Sequence, residues 1–203
     1  MNGTTLKVLF AEYIAKIKTY NKIAGISQIT RRYIAINGFD GVITMLGVLL
    51  GNYVVGAREY KHIIISGSAV CISLMISGVW SVYNSESSER AKDMRELEMS
   101  TLHVLTGTII ARAQRFASIV LAVLNGFTAG ISAFIPLVPF FFGKYLQINA
   151  CYYSGAFLSF LLLIGNGIFL GRNSKRNLFI SILKMVLAGV FCVALGYLLE
   201  FID

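Results

Sequence analysis

Five stretches of the chain, near residues 34–55, 63–83, 117–142, 151–170 and 178–199, are almost continuously apolar, and the polar residues gather between them. Each matches the roughly 17–25 residues a helix needs to cross about 30 Å of hydrocarbon. The pattern predicts five transmembrane helices. Ahead of the first span the period changes. Leu6, Phe10, Tyr13, Ile17, Tyr20 and Ile23 recur every three or four residues, with Lys7, Lys16, Lys18 and Lys22 elsewhere around the same helix. That spacing predicts a basic amphipathic helix lying on the membrane surface. The expected plan is an interfacial segment over 1–32 and a five-helix transmembrane domain over 33–203, with a cytoplasmic helical connection over 84–116.

Composition strengthens this all-α membrane reading. The 203 residues are 56% hydrophobic and 14% charged, against about 25% charged in a soluble domain. Five spans with short connections use nearly the whole chain, leaving no room for a soluble catalytic domain. The first 30 residues lack the compact apolar core of a cleaved leader, so the N-terminus is expected to be retained.

Fourteen of the 18 Lys and Arg residues fall on one side: before the first span, between spans two and three, and between spans four and five. Only Arg58, Lys61 and Lys144 fall on the other, and Lys184 lies inside the last span. The positive-inside rule then places the N-terminus in the cytoplasm and the C-terminus outside. The net charge of +8 is thereby explained by topology, and a nucleic-acid partner is not expected. Cys71, Cys151 and Cys192 all lie within spans and read as small buried hydrophobes.

Two features carry chemistry. In "NSESSERAKDMRELEMSTLHVLTGTIIARAQR", Glu86, Glu89, Asp93 and Glu96 are spaced three, four and three apart, which lines four carboxylates along one helical face. Such a stripe can collect hard cations through oxygen ligands. Interleaved Arg90, Lys92 and Arg95 equally fit a solvated, charge-paired helix. The second feature is Asp40, in "INGFDGVITMLGVLLGNYVVG", the only acidic residue inside any expected span. A carboxylate there costs a few kcal/mol even on lenient insertion scales. It marks either a cation or proton path, with Thr44, Met45, Asn37 and Asn52 as secondary ligands, or a polar anchor satisfied by neighbouring Asn, Thr or Ser. Gly47-x-x-x-Gly51 beyond it permits close helix contact in lipid. Pro136 and Pro139 in "FIPLVPFFF" are expected to break or kink the third span.

"RRYIAINGFDGVITMLGVLLGNYVVG" resembles the Asp-Gly signature in the first helix of the vacuolar-iron-transporter-like proteins. "SLMISGVWSVYNSESSERA", "SAFIPLVPFFF" and "GVFCVALGYLLE" are similar to the end of that family's second helix, its third-helix proline pair and its last helix. The resemblance implies a homodimeric multi-pass membrane protein, in the cell membrane if the source is a prokaryote, that moves ferrous or manganous ions out of the cytosol in exchange for protons. It implies a transporter, not an enzyme, with no resident cofactor. Asp40 matches the family's first-helix metal-binding carboxylate and Met75 its second-helix methionine. Two positions depart from the pattern. Val79 stands where the family has a glutamate, and the family's long Glu-rich cytoplasmic domain is reduced to the stripe of Glu86, Glu89, Asp93 and Glu96. A carrier of another cargo or a membrane scaffold on the same fold is the competing expectation. A lipid-headgroup transferase would need further intramembrane aspartates, and the chain has none.

Overall fold

A computed structural model describes residues 19–21, 24–105, 107–143, 145–174 and 177–198. Its elements are five helices: α1 Ile26–Val54, α2 Tyr60–Thr101, α3 Ile109–Phe141, α4 Ile148–Ser174 and α5 Leu178–Leu198. All five are long and apolar enough to cross a membrane. In hydrocarbon every backbone N–H and C=O needs an internal partner, and a helix supplies one for each within its own segment. The interfacial helix expected over 1–32 falls largely outside the described residues.

Two local expectations change. The second span and the connection after it are one continuous helix of 42 residues, about 63 Å long at 1.5 Å per residue. No Gly or Pro interrupts residues 84–101, so nothing stops the helix where the membrane does. It ends at Leu102, which takes the left-handed conformation at φ 55°. Thr108 then starts α3, its Oγ1 accepting the N–H of Ala111 at 3.4 Å, and α3 runs back along α2. The second change concerns the prolines, because α3 does not break at Pro136 or Pro139 but continues to Phe141. Proline's fixed φ is helical, and each proline removes one ladder bond, to the carbonyl four residues before it, without ending the helix.

α3 is the centre of the bundle. It packs most extensively on α2 and α1 and also meets α4, while α4 and α5 pair with each other and flank α1. The buried face of α3 is made of small residues, among them Ala113, Ala117, Ala122, Ala129 and Ala133. Lipid tails are as apolar as leucine, so burying large side chains gains little there; close backbone contact gains more. Two crossings show how close. A Cβ at Gly78 of α2 would lie 2.9 Å from the Cα of Gly126 in α3, and one at Gly41 of α1 would fall onto the carbonyl oxygen of Ala129. Above these crossings Met45, Ile63, Leu137, Phe140 and Tyr152 form a core toward the α3 C-terminus. The rings of Phe140 and Tyr152 there meet edge to face at 5.1 Å. Cys71 and Cys151 are buried and unpaired, as expected, whereas Cys192 is unpaired but only half-buried.

The Gly41 crossing can be tested by single-methyl substitution. Gly41→Ala should separate α1 from α3 and lower the thermal midpoint in detergent by several degrees. Gly165→Ala should not lower it, since nothing in the protomer lies within 4 Å of the added atom.

Candidate functional site

Asp40 lies on α1 eight residues past Arg32, about 12 Å along the helix. Its neighbour Gly41 is buried against α3, which turns the Asp40 side chain to the exposed face of the protomer. Thr44 Oγ1 donates to the Asp40 carbonyl oxygen at 2.7 Å, and among the described residues the carboxylate itself has no hydrogen-bond or ion-pair partner. Ile36 and Gly47, at i−4 and i+7, share its exposed face. That face continues into an open apolar groove of about 670 Å³, formed by Ile43, Gly47 and Gly51 with Ala188, Phe191 and Cys192 of α5.

Met75 is placed differently. It is half-buried on α2 with its thioether against Gly130, where a Cβ would lie 2.7 Å from Sδ. Gly41 of α1 meets Ala129 and Met75 of α2 meets Gly130, so Asp40 and Met75 stand at one depth beside the same turn of α3. Asp40 faces outward and Met75 inward. Val79, one turn beyond Met75, also packs inward, its Cγ2 against Gly126.

The acidic stripe divides. Glu86 is buried, accepting from Tyr33 Oη at 2.9 Å and from Arg90 Nε at 3.1 Å. Arg90 is buried too, and donates onward to Gln114 Oε1 of α3. Glu89, Asp93 and Glu96 remain exposed; Glu96 lies 3.8 Å from Lys92, a surface pair of the kind worth well under 1 kcal/mol. Among the described residues no three His, Cys, Asp or Glu side chains come together as a metal site. Glu86 is thus held by Arg90 and Tyr33, apart from the three carboxylates that face solvent.

The other candidates around Asp40 are committed elsewhere. Met45 is fully buried in the core, and Asn52 Nδ2 donates to the Val48 carbonyl at 2.8 Å. Asn37 donates to the Tyr33 carbonyl at 2.8 Å and to Asn125 Oδ1. Asn125 in turn donates to the Gly78 carbonyl at 3.0 Å. Asn37, Tyr33, Asn125, Glu86, Arg90 and Gln114 therefore form a polar chain tying α1, α2 and α3 together from mid-membrane to the basic end of the bundle. The sequence pattern gave none of Asn125, Tyr33 and Gln114 a role at the site. The available signal was an amide inside an apolar stretch, since an amide at that depth must be satisfied.

No protein-family model matches the chain. It is 28% identical over 167 residues to an uncharacterised protein of Methanocaldococcus jannaschii, the match covering 81% of this chain and 84% of the other.

The buried pair predicts an asymmetry. Arg90→Leu leaves the Glu86 carboxylate buried without its counter-charge and should cost about 3–5 kcal/mol of stability, while replacing both partners with leucine should recover most of that loss. Denaturant unfolding of the single and double variants measures it, and equal stability of single variant and wild type would remove the pair from the stabilising network.

Proposed function

We propose that the protein is a divalent-cation transporter that exports ferrous or manganous ion from the cytosol in exchange for protons. In this reading it works as a homodimer joined along the Asp40 face of α1. The observation that carries it is the direction of Asp40, whose unpartnered carboxylate sits at membrane depth on the outside of the protomer. Left against lipid it would cost a few kcal/mol. A second copy packed on the same face removes that exposure, and a two-fold interface sets like against like, placing two Asp40 carboxylates on either side of one axis. The exposed Gly47 and half-exposed Gly51 let two α1 helices approach closely. Two facing carboxylates suit a divalent cation and, once it leaves, can take up protons in its place. Met75 stands at Asp40's level but packs inward against Gly130, so in this reading the two Asp40 carboxylates hold the ion without its thioether.

The orientation follows from the positive-inside rule. The N-terminus and the projecting part of α2 then lie in the cytosol, where Glu89, Asp93 and Glu96 present exposed carboxylates that attract cations to the entrance. Resemblance to the vacuolar-iron-transporter-like proteins supports the same assignment. One observation favours a second reading: Val79, at the position of that family's second-helix glutamate, is packed on Gly126 and offers no ligand. A carrier of another cargo, or a scaffold on this fold, would follow from losing that ligand.

Proteoliposomes containing a metal-sensitive dye separate the two. Wild type should carry ferrous or manganous ion with opposite proton movement, and Asp40→Asn should reduce flux to that of empty liposomes while the protein stays folded. Wild-type protein that moves no divalent ion would overturn the transporter reading. The interface is tested separately: Gly47→Leu should shift the protein from dimer to monomer in multi-angle light scattering without lowering its helix content.

A further inference from the structure

A cavity of about 340 Å³ opens between the end of α2 and the start of α3. Its lining is unlike that of the membrane grooves. Arg90, Arg95 and Arg115 converge on it, with Tyr83, Ser87, Gln114 and Ser118 among its other walls. One carboxylate, Glu98, is present, and its Oε1 is already used to accept the backbone N–H of Leu105 at 2.8 Å. Arg90 is neutralised from behind by Glu86. Arg95 and Arg115 are exposed, and neither has a hydrogen-bond or ion-pair partner among the described residues. The cavity thus holds two uncommitted guanidiniums beside a third that is rigidly positioned, with three hydroxyls and an amide among its walls.

Planar guanidinium donors match the oxygens of a phosphate group, which they bind in pairs. A solvated basic face would scatter its charges around the helix; here they surround a recess large enough for several waters at about 30 Å³ each. We infer that this recess is a binding site for a phosphate group. Its inner end lies at the level of the lipid headgroups. Tyr83 and Ser118 in its lining lie at the ends of the apolar stretches of α2 and α3. Arg115 is about 5 Å, Arg90 about 10 Å and Arg95 about 18 Å beyond those ends at 1.5 Å per residue, so the recess runs from the polar layer that adds a few ångströms to each side of the hydrocarbon core out into water. Trp80, one turn deeper on the same helical face as Tyr83, is 69% exposed and suits an aromatic ring at the membrane boundary. The anionic lipids of the cytoplasmic leaflet carry the matching group, and inorganic phosphate carries the same chemistry without the tails. The inference does not depend on what, if anything, the protein transports.

Thermal unfolding of the full-length protein in phosphatidylcholine micelles, with phosphatidic acid or inorganic phosphate added, tests the site. Native mass spectrometry counts retained lipid in parallel. Wild type should gain several degrees from phosphatidic acid and hold one such lipid per protomer. Arg95→Gln with Arg115→Gln should abolish both effects. So should Ala91→Trp, which fills the cavity without altering charge. Lys92→Gln with Arg112→Gln, which removes the same charge outside the cavity, should keep them. Stabilisation by inorganic phosphate without preference for the anionic lipid would assign the site to a soluble phosphate. No response to either ligand, or equal loss in both double variants, would overturn the inference in favour of diffuse surface attraction.

Discussion

The approach of α2 to α3 across Gly78, Gly126 and Gly130 is the contact on which the rest of the bundle is arranged. Lipid offers apolar side chains as good an environment as a protein core does, so helices associate where backbones can come within van der Waals distance. The small-residue face of α3 provides that surface twice, once for α2 and once, at Ala129 and Ala133, for Gly41 of α1. With α1 and α2 both seated on α3, residues far apart in sequence acquire a common depth. Asp40 and Met75 are level for this reason alone, and α4 and α5 are left to complete the bundle along α1.

Close contact along one helix does not by itself fix register, because a seam of alanines and glycines tolerates sliding. The polar chain from the Gly78 carbonyl through Asn125, Asn37 and Tyr33 to Glu86, Arg90 and Gln114 removes that freedom. Each of its groups is buried or half-buried, and a one-residue slip of any helix would leave an amide or a charge unpaired at a cost of one to several kcal/mol. The chain explains how α2 can run so far past the membrane without splaying, since its first turns outside are tied to both α1 and α3.

Much of this was legible in the sequence, and what was not has a common cause. Span number and position follow from one-dimensional hydropathy, which needs no knowledge of neighbours; all five expected spans fall on helices. The direction in which a residue on such a helix faces depends on what passes beside it. Glu86 and Asp93 are only about 20° apart on a helical wheel, yet Glu86 is buried and Asp93 exposed. α1 and α3 flank the first, and none of the described residues covers the second. Periodicity placed the two on one stripe and could not separate them. Likewise Pro136 and Pro139 each cost α3 one ladder bond to a preceding carbonyl, a local loss that does not stop a helix packed on its neighbours, and α3 runs on to Phe141.

The same contrast bears on Asp40. A buried polar residue that holds a structure together is recognised by saturation: Asn125, Asn37 and Glu86 each spend their hydrogen-bonding capacity on another helix. Asp40 spends none of its carboxylate inside the protomer, although Asn37 lies one turn away on the same helix. An anchor would have turned inward to that chain. Gly41, wedged against Ala129, prevents it, because the only rotation of α1 that lets the backbones meet is the one that leaves Asp40 outside. Among the described residues the Asp40 carboxylate is thus left without a partner, and the proposed dimer is the arrangement that would bring a partner copy, an ion or a proton to it along the same face.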